Sequence, residues 1–476
     1  MASVALINSM NSTKFILSKR IFDLKNQYEF AKFSGDCNPI HVEPLFARRT
    51  TVGKCIVHGL HAVLWALDSY LVHINSYFSK IDVNFLKPIL LDEEIVCSWD
   101  QDKQQILISN EDMVLVRIKT VRGNNSAKES ISIANNIPGR YPSYKSFADC
   151  ANQVNIPFVP HGESDGLRSI FPQVANTYGM QALSDLVELS YVVGMECPGL
   201  QSLFGGFCIS FCENEGEDAK YSVINSDPRF SSLEIGVKAK SFFGNVLAFY
   251  RPPPPKNPSM MSIANYVSKG EFSNVSALII GGSRGLGELV AKIVGVGGGR
   301  SIVTYSSGKE DAANVVAEIV AYGSHSDSFQ FTASRKSTLP FDSLQFNQVY
   351  YFATPKILGK SNATHDAKQY EAYCEVYVEA FESISRQLAV FLPNCKIFFP
   401  STVFIDEPQK GFELYVDAKR KGELMCMKLN SELNLKIHAH RLPKLNTDQT
   451  QTLFSENYSD GVDVLLKVVR EMSEEF

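Results

Sequence analysis

Ten cysteines are scattered from Cys37 to Cys426, yet no two of them form a Cys-x-x-Cys pair. That argues against a zinc or disulfide framework and leads us to expect reduced thiols and a cytoplasmic location. The closest two, Cys208 and Cys212, belong with an apolar run and read as core. A basic excess is missing as well, the formal charge being -5. Without a basic stripe or a polybasic anchor, neither nucleic acid nor a membrane surface is an expected partner. No apolar stretch is long enough to span a bilayer. Met1 to Lys19 mixes Ser, Asn and Thr with short apolar runs and lacks the charged start and continuous apolar core of a signal peptide. The nine histidines show no metal-ligand spacing, so no metal is expected. What remains is an ordinary globular composition, 45% hydrophobic over 476 residues, with room for about three domains.

The stretch Phe33-Ser34-Gly35-Asp36-Cys37-Asn38-Pro39-Ile40-His41 packs an acid, a base and a helix start into one short segment. Asn38-Pro39 reads as an N-cap followed by proline at the first helical position, which puts Asp36 just before a helix and His41 in its first turn. Both side chains can then face one small volume. A carboxylate and an imidazole sharing a water can take a proton from it and return one to carbon, as hydration or dehydration beside a thioester carbonyl requires. Farther on, Ile56-Val57-His58-Gly59-Leu60-His61 opens a helix-like stretch from Ala62 to Leu71. A backbone N–H at Gly59, at such a helix start, can stabilise an enolate oxygen.

From Ile16 to Val121 these residues resemble the MaoC-like, R-specific enoyl-thioester hydratases and dehydratases of the hot-dog fold. The likeness rests on Asp-x-Asn-Pro-Ile-His at 36–41, His58-Gly59, and Asp82-Val83-Asn84-Phe85-Leu86-Lys87-Pro88 as a following strand. It implies an α+β fold at residues 1–125, with Asp36 and His41 on the catalytic water and Gly59 on the thioester oxygen. The implied substrates are thioesters of coenzyme A or an acyl carrier protein.

Gly123 to Lys128, with Pro138 and Pro142, reads as a boundary. The module at 140–250 repeats features of the first: Val193-Gly194, Cys197 and Gly199-Leu200 echo Val52-Gly53, Cys55 and Gly59-Leu60 at an offset of about 140 residues. It carries neither the aspartate nor the histidine. The expectation is a double hot dog with one chemically silent half; the alternative is a chance match of short apolar motifs. Arg251-Pro252-Pro253-Pro254-Pro255-Lys256-Asn257-Pro258 then favours an extended spacer, giving a linker at 251–275.

At 276–476 a different unit is expected, an α/β Rossmann-type doubly wound parallel sheet. Ser276 to Ile280 is a short apolar strand, Gly281-Gly282-Ser283-Arg284-Gly285-Leu286-Gly287 leads into a helix, and Ser301 to Tyr305 supplies the next strand. Glycines in that context let the backbone approach a pyrophosphate at the helix start. The second strand ends in Thr304-Tyr305-Ser306-Ser307-Gly308-Lys309, with no acid where one would bind the adenosine ribose hydroxyls, whereas Arg284, Ser306 and Lys309 suit a 2′-phosphate, so NADP(H) is expected over NAD(H). Both cations could equally be solvated surface residues. Ser401-Thr402 ends another strand, and Tyr415 and Lys419 share one helix face. An ammonium there lowers the phenol's pKa, so that tyrosine can protonate a carbonyl oxygen.

This unit resembles the short-chain dehydrogenases/reductases from about Ser276 to Thr450. The resemblance implies Ser401, Tyr415 and Lys419 as catalytic residues, Thr447 near the nicotinamide, and a homo-oligomer formed through the Rossmann domain. Two departures stand out. Phe352-Ala353-Thr354-Pro355 occupies the usual Asn-Asn-Ala-Gly segment, and Val376-Tyr377-Val378 the usual asparagine. The combined expectation is a bifunctional hydratase/dehydratase and NADP(H)-dependent 3-oxoacyl reductase. The alternatives are a hydratase with a non-catalytic NADP-binding scaffold, an acyl-thioester binding module, and a thioesterase.

Overall fold

The computed structural model of the protein describes residues 14–474 apart from 51, 75, 112, 124–140, 143, 159–163, 213–217, 342–343, 358–362, 434 and 451–457. The boundary read at Gly123 to Lys128 and Pro138 therefore lies almost wholly outside the described residues. Two compact units divide between Pro253 and Pro254.

The first unit is built on strands β1 (Lys14–Ile21), β2 (Phe78–Phe85), β3 (Glu94–Asp100), β4 (Gln105–Ser109), β5 (Val114–Arg122), β6 (Ile156–Pro157), β7 (Ser202–Phe211), β8 (Lys220–Asp227), β9 (Ser232–Lys238) and β10 (Phe242–Tyr250). They form one antiparallel sheet in the order β1-β3-β4-β5-β2-β7-β10-β9-β8-β6. Reading inward from either edge, each set of five runs first, third, fourth, fifth, second, and the two sets meet where β2 pairs with β7. Each set also supplies one long helix, Gly59–His73 or Pro172–Tyr191, and the two helices pack on each other. Alternation decides which sheet face they cover: Ile81 and Val83 on β2 and Phe207 and Ile209 on β7 are buried in the common core. Gly59–His73 is buried without a break from Leu60 to Leu67, as suits a helix wrapped by sheet and partner helix. Asp68 on that helix accepts the N–H groups of Gln173 and Val174 at 2.7 and 3.0 Å, a carboxylate holding the start of the second helix.

The glycine-leucine pairs that suggested the repeat are not equivalent positions. Gly59 opens its helix, whereas Gly199 follows the Pro172–Tyr191 helix and precedes β7. Correspondence between the halves lies in strand order.

The second unit contains β11 (Ser276–Ile280), β12 (Arg300–Tyr305), β13 (His325–Gln330), β14 (Gln348–Tyr351), β15 (Lys396–Thr402) and β16 (Lys436–Leu442). All pair in parallel, in the order β13-β12-β11-β14-β15-β16. This is the 3-2-1-4-5-6 order of the doubly wound Rossmann sheet. Helices Gly285–Val296 and Gly461–Ser473 pack with one core, Phe381–Phe391 and Glu413–Leu433 with the other. The linker is shorter than expected. Met260, Ile263, Val267, Phe272 and Val275 are buried in the second unit's core, so most of 251–275 belongs to that unit.

Candidate functional site

Asn38 caps the short Pro39–Val42 helix, its Oδ1 accepting the Ile40 N–H at 3.2 Å, and Pro39 stands first in the helix. Asp36 lies one step outside this cap and His41 inside the turn. One nitrogen of His41, one of His58 and one Asp36 oxygen lie within 4.8 Å of one another, a span that a single water can bridge by two hydrogen bonds. His41 Nδ1 is 2.9 Å from the Ile56 carbonyl oxygen, so it carries the proton and leaves Nε2 with the lone pair. Burial holds the imidazole below its ordinary pKa, and Asp36 works against that shift. The Asp36 carboxyl is pushed up by burial, against His41, the Ser190 hydroxyl and the Asn38 N–H. At neutral pH His41 is thus a neutral base beside a carboxyl whose proton affinity is raised.

Sequence reasoning missed the residues that hold this pair. Ser190 donates to Asp36 Oδ2 at 2.7 Å, and the Asn38 N–H donates to Oδ1 at 3.1 Å. Asn38 Nδ2 donates to the carbonyl oxygens of Gly194 and Gly199 at 2.8 and 3.0 Å. Gly194 lies against the acid so closely that a Cβ there would overlap the Asp36 carboxylate. Ser190, Gly194 and Gly199 belong to the half that has no counterpart of the Asp36 and His41 motif, and that half positions the acid of the other. His58 stacks on His41 with ring centroids 3.9 Å apart. Its Nε2 is 3.0 Å from the Asp36 carbonyl oxygen and its Nδ1 2.9 Å from Gln27 Oε1. Both ring nitrogens thus face acceptor oxygens, and burial keeps His58 neutral, so it donates to one of the two only. Gly59 is the first residue of its helix, where backbone N–H groups have no partner within the helix. A Cβ on Gly59 would come within 2.7 Å of the Phe85 ring.

In the second unit the glycine turn has the form a pyrophosphate needs. Gly281 has φ 84°, and a Cβ there would lie 2.8 Å from Ala353 N. A Cβ on Gly287 would lie 2.5 Å from the Gly281 carbonyl oxygen. Ser283, Gly285 and Leu286 are half-buried around the start of the Gly285–Val296 helix. Gly281 and Gly282 donate to Thr304 Oγ1 and O at 3.1 and 3.0 Å, tying the turn to β12.

Other expectations need correction. Arg284 is paired with Asp448, because that carboxylate reaches it from the segment after β16. Lys309 and Ser306 remain exposed after β12, Ser306 Oγ lying 2.8 Å from Thr332 Oγ1. Thr447 turns inward on its own segment, its N–H donating to Thr450 Oγ1 at 3.0 Å. Ser401 is buried, and its Oγ has no hydrogen-bond partner among the described residues. Thr402 is the hydroxyl that acts on the Tyr415 phenol. Adjacent strand residues point to opposite faces, so one position decides which hydroxyl meets the tyrosine.

Nor is the phenol's pKa lowered. Burial pushes Tyr415 up, outweighing Thr402, and holds the Lys419 ammonium down to about 7. Lys419 Nζ donates to the Pro400 carbonyl oxygen at 2.7 Å and sits 3.8 Å from the centroid of the Tyr377 ring. Tyr377, standing where the asparagine was expected, lies in a π-helical turn at Glu375–Ala380, its hydroxyl 2.5 Å from Thr354 Oγ1.

Residues 19–121 match the family described as MaoC like domain. No curated protein is detectably similar to the chain in sequence. Among solved structures, a short chain dehydrogenase from Burkholderia cenocepacia J2315 in complex with NADP is 20% identical, covering 43% of this chain and 91% of that one, with a TM-score of 0.37. A 3-oxoacyl (acyl-carrier-protein) reductase from Agrobacterium tumefaciens C58 with NADP bound is 14% identical, covering 38% and 73%, with a TM-score of 0.33. FolM alternative dihydrofolate reductase 1 from Brucella canis, complexed with NADP, is 11% identical, covering 37% and 75%, with a TM-score of 0.32. Likenesses at these scores carry no weight of their own; the second unit is assigned from its strand order and glycine turn.

Proposed function

We propose that the first unit is a double hot dog that interconverts 2-enoyl and 3-hydroxyacyl thioesters of coenzyme A or an acyl carrier protein, and that the second reduces 3-oxoacyl thioesters with NADPH. The observation that carries the first half is the pairing of buried Asp36 with half-buried His41 at the span of one water. In hydration, neutral His41 takes a proton from that water as its oxygen adds to C3. The Gly59 N–H holds the thioester oxygen while negative charge develops there. Protonated Asp36 then gives its proton to C2, and His41 returns the water's proton to Asp36. Dehydration runs the same steps backwards.

For the second unit, the cradle at Gly281 and Gly287 fits a dinucleotide, and Ser306 just past the end of β12, where no acid stands, together with Lys309 favours the 2′-phosphate of NADP(H). Bound there, NADPH supplies hydride. The chain's own part is to hold the substrate carbonyl oxygen at Thr402 and protonate it from Tyr415. One observation favours a second reading, in which this unit holds NADP(H) without turning it over: Lys419 is committed to Pro400 and the Tyr377 ring. Incubating the protein with acetoacetyl thioester and NADPH separates the two. Slow NADPH oxidation that Tyr415→Phe abolishes supports the reductase; NADPH binding without turnover on either carrier supports the scaffold.

A further inference from the structure

Arg251 directly follows β10 and is 2% exposed. Its backbone N–H donates to the Gln201 carbonyl oxygen at 2.6 Å and its Nη2 to the Leu200 carbonyl oxygen at 3.1 Å. The guanidinium carbon lies 5.7 Å from the centroid of the Phe46 ring. Among the described residues no carboxylate is paired with this cation, and its Nε has no hydrogen-bond partner. An isolated buried charge is costly, and a guanidinium does not escape the cost by shedding its proton at neutral pH. Burial lowers its pKa only to about 10.

The turn before β7 holds Arg251 through the carbonyl oxygens of Gln201 and Leu200. This turn also anchors the acid–base site, because Gly199 accepts from Asn38 and Leu200 from Arg251. His41 is near enough to be influenced by the arginine's charge. A cation without a carboxylate partner among the described residues thus lies near the catalytic pair, and it is not used in the chemistry derived above.

We propose that Arg251 is an anion subsite that receives a negatively charged group of the thioester substrate; this rests on the hydratase reading of the first unit. The guanidinium forks onto the anion, and the Phe46 ring stacks against the cation. The anion has two chemical sources, a phosphate of the carrier arm or a second carboxylate on the acyl chain.

Three saturated, unreactive ligands distinguish the sources by calorimetric titration: butyryl-coenzyme A, butyryl-pantetheine without phosphate, and glutaryl-pantetheine with a carboxylate in place of phosphate. Wild type should bind one of the two anionic ligands about tenfold or more tightly than butyryl-pantetheine. Arg251→Met should bring that ratio close to one, with butyryl-pantetheine affinity kept, and Arg251→Lys should retain part of it. A preference for butyryl-coenzyme A assigns the phosphate, and one for glutaryl-pantetheine assigns the carboxylate. A wild type without preference overturns the subsite, as does a ratio unchanged in Arg251→Met. If Arg251→Met fails to fold, Arg251→Lys decides, and an unreduced ratio there overturns the proposal. Binding needs no turnover, so a preference found in a protein that does not hydrate crotonyl-coenzyme A would sink the hydratase reading and leave the subsite standing.

Discussion

Asp36 and His41 could be read from sequence because everything that brings them together is local: a cap at Asn38, a proline at the first helical position, and one turn of helix. Their protonation states could not, since these depend on burial that the whole fold creates. Burial keeps His41 below its ordinary pKa of 6.5, so its neutral form persists as pH falls below that value. We therefore expect the acid limb of kcat/KM for hydration to lie below pH 6.5. A limb at or above 6.5 would show that another group, or an exposed His41, controls the rate. Ser401 and Thr402 end the same strand and both are buried, and it is Thr402 that works against the upward push of burial on the Tyr415 phenol; pattern does not distinguish two such polar neighbours. Arg284 illustrates the opposite limit: Asp448 reaches it from beyond the last strand of the sheet, and no local signal announces that partner.

Elements explain why the half without a counterpart of the Asp36 and His41 motif is retained. The helix Pro172–Tyr191 and the turn after it bring Ser190, Gly194 and Gly199 against the Asp36–Asn38 segment. Their sequence shows a glycine-leucine echo but not this contact, because the pairing crosses between halves. Gly194 is the sensitive point, since any Cβ there collides with the acid. Gly194→Ala should lower hydration about a hundredfold by displacing the carboxylate, the order expected for an ångström-scale misplacement, while NADPH binding persists. Hydration at the wild-type rate in that variant would mean that the silent half does not position the acid. The correct order of five strands in each half was equally hidden, because alternation identifies strands but not their neighbours.

At the scale of the whole molecule, the division between the two units falls within the proline run, and the glycine turn and βαβ pattern announce the parallel sheet. The extent of the linker was illegible, since Met260 to Val275 offers only a few scattered apolar residues that acquire meaning on packing. No described helix is long and apolar enough to cross a membrane. The two units have separate cores and separate sets of chemical residues, so each proposed activity is open to removal without the other. The central claim is that Asp36 and His41 perform the hydration, and the most direct measurement is the hydration of crotonyl-coenzyme A by wild type, Asp36→Asn and His41→Ala, with NADPH affinity of the same samples determined by fluorescence titration. The account predicts a loss of about a hundredfold or more in each variant, the scale of a missing general acid or base, with NADPH affinity unchanged. Near-normal hydration in either variant would contradict it.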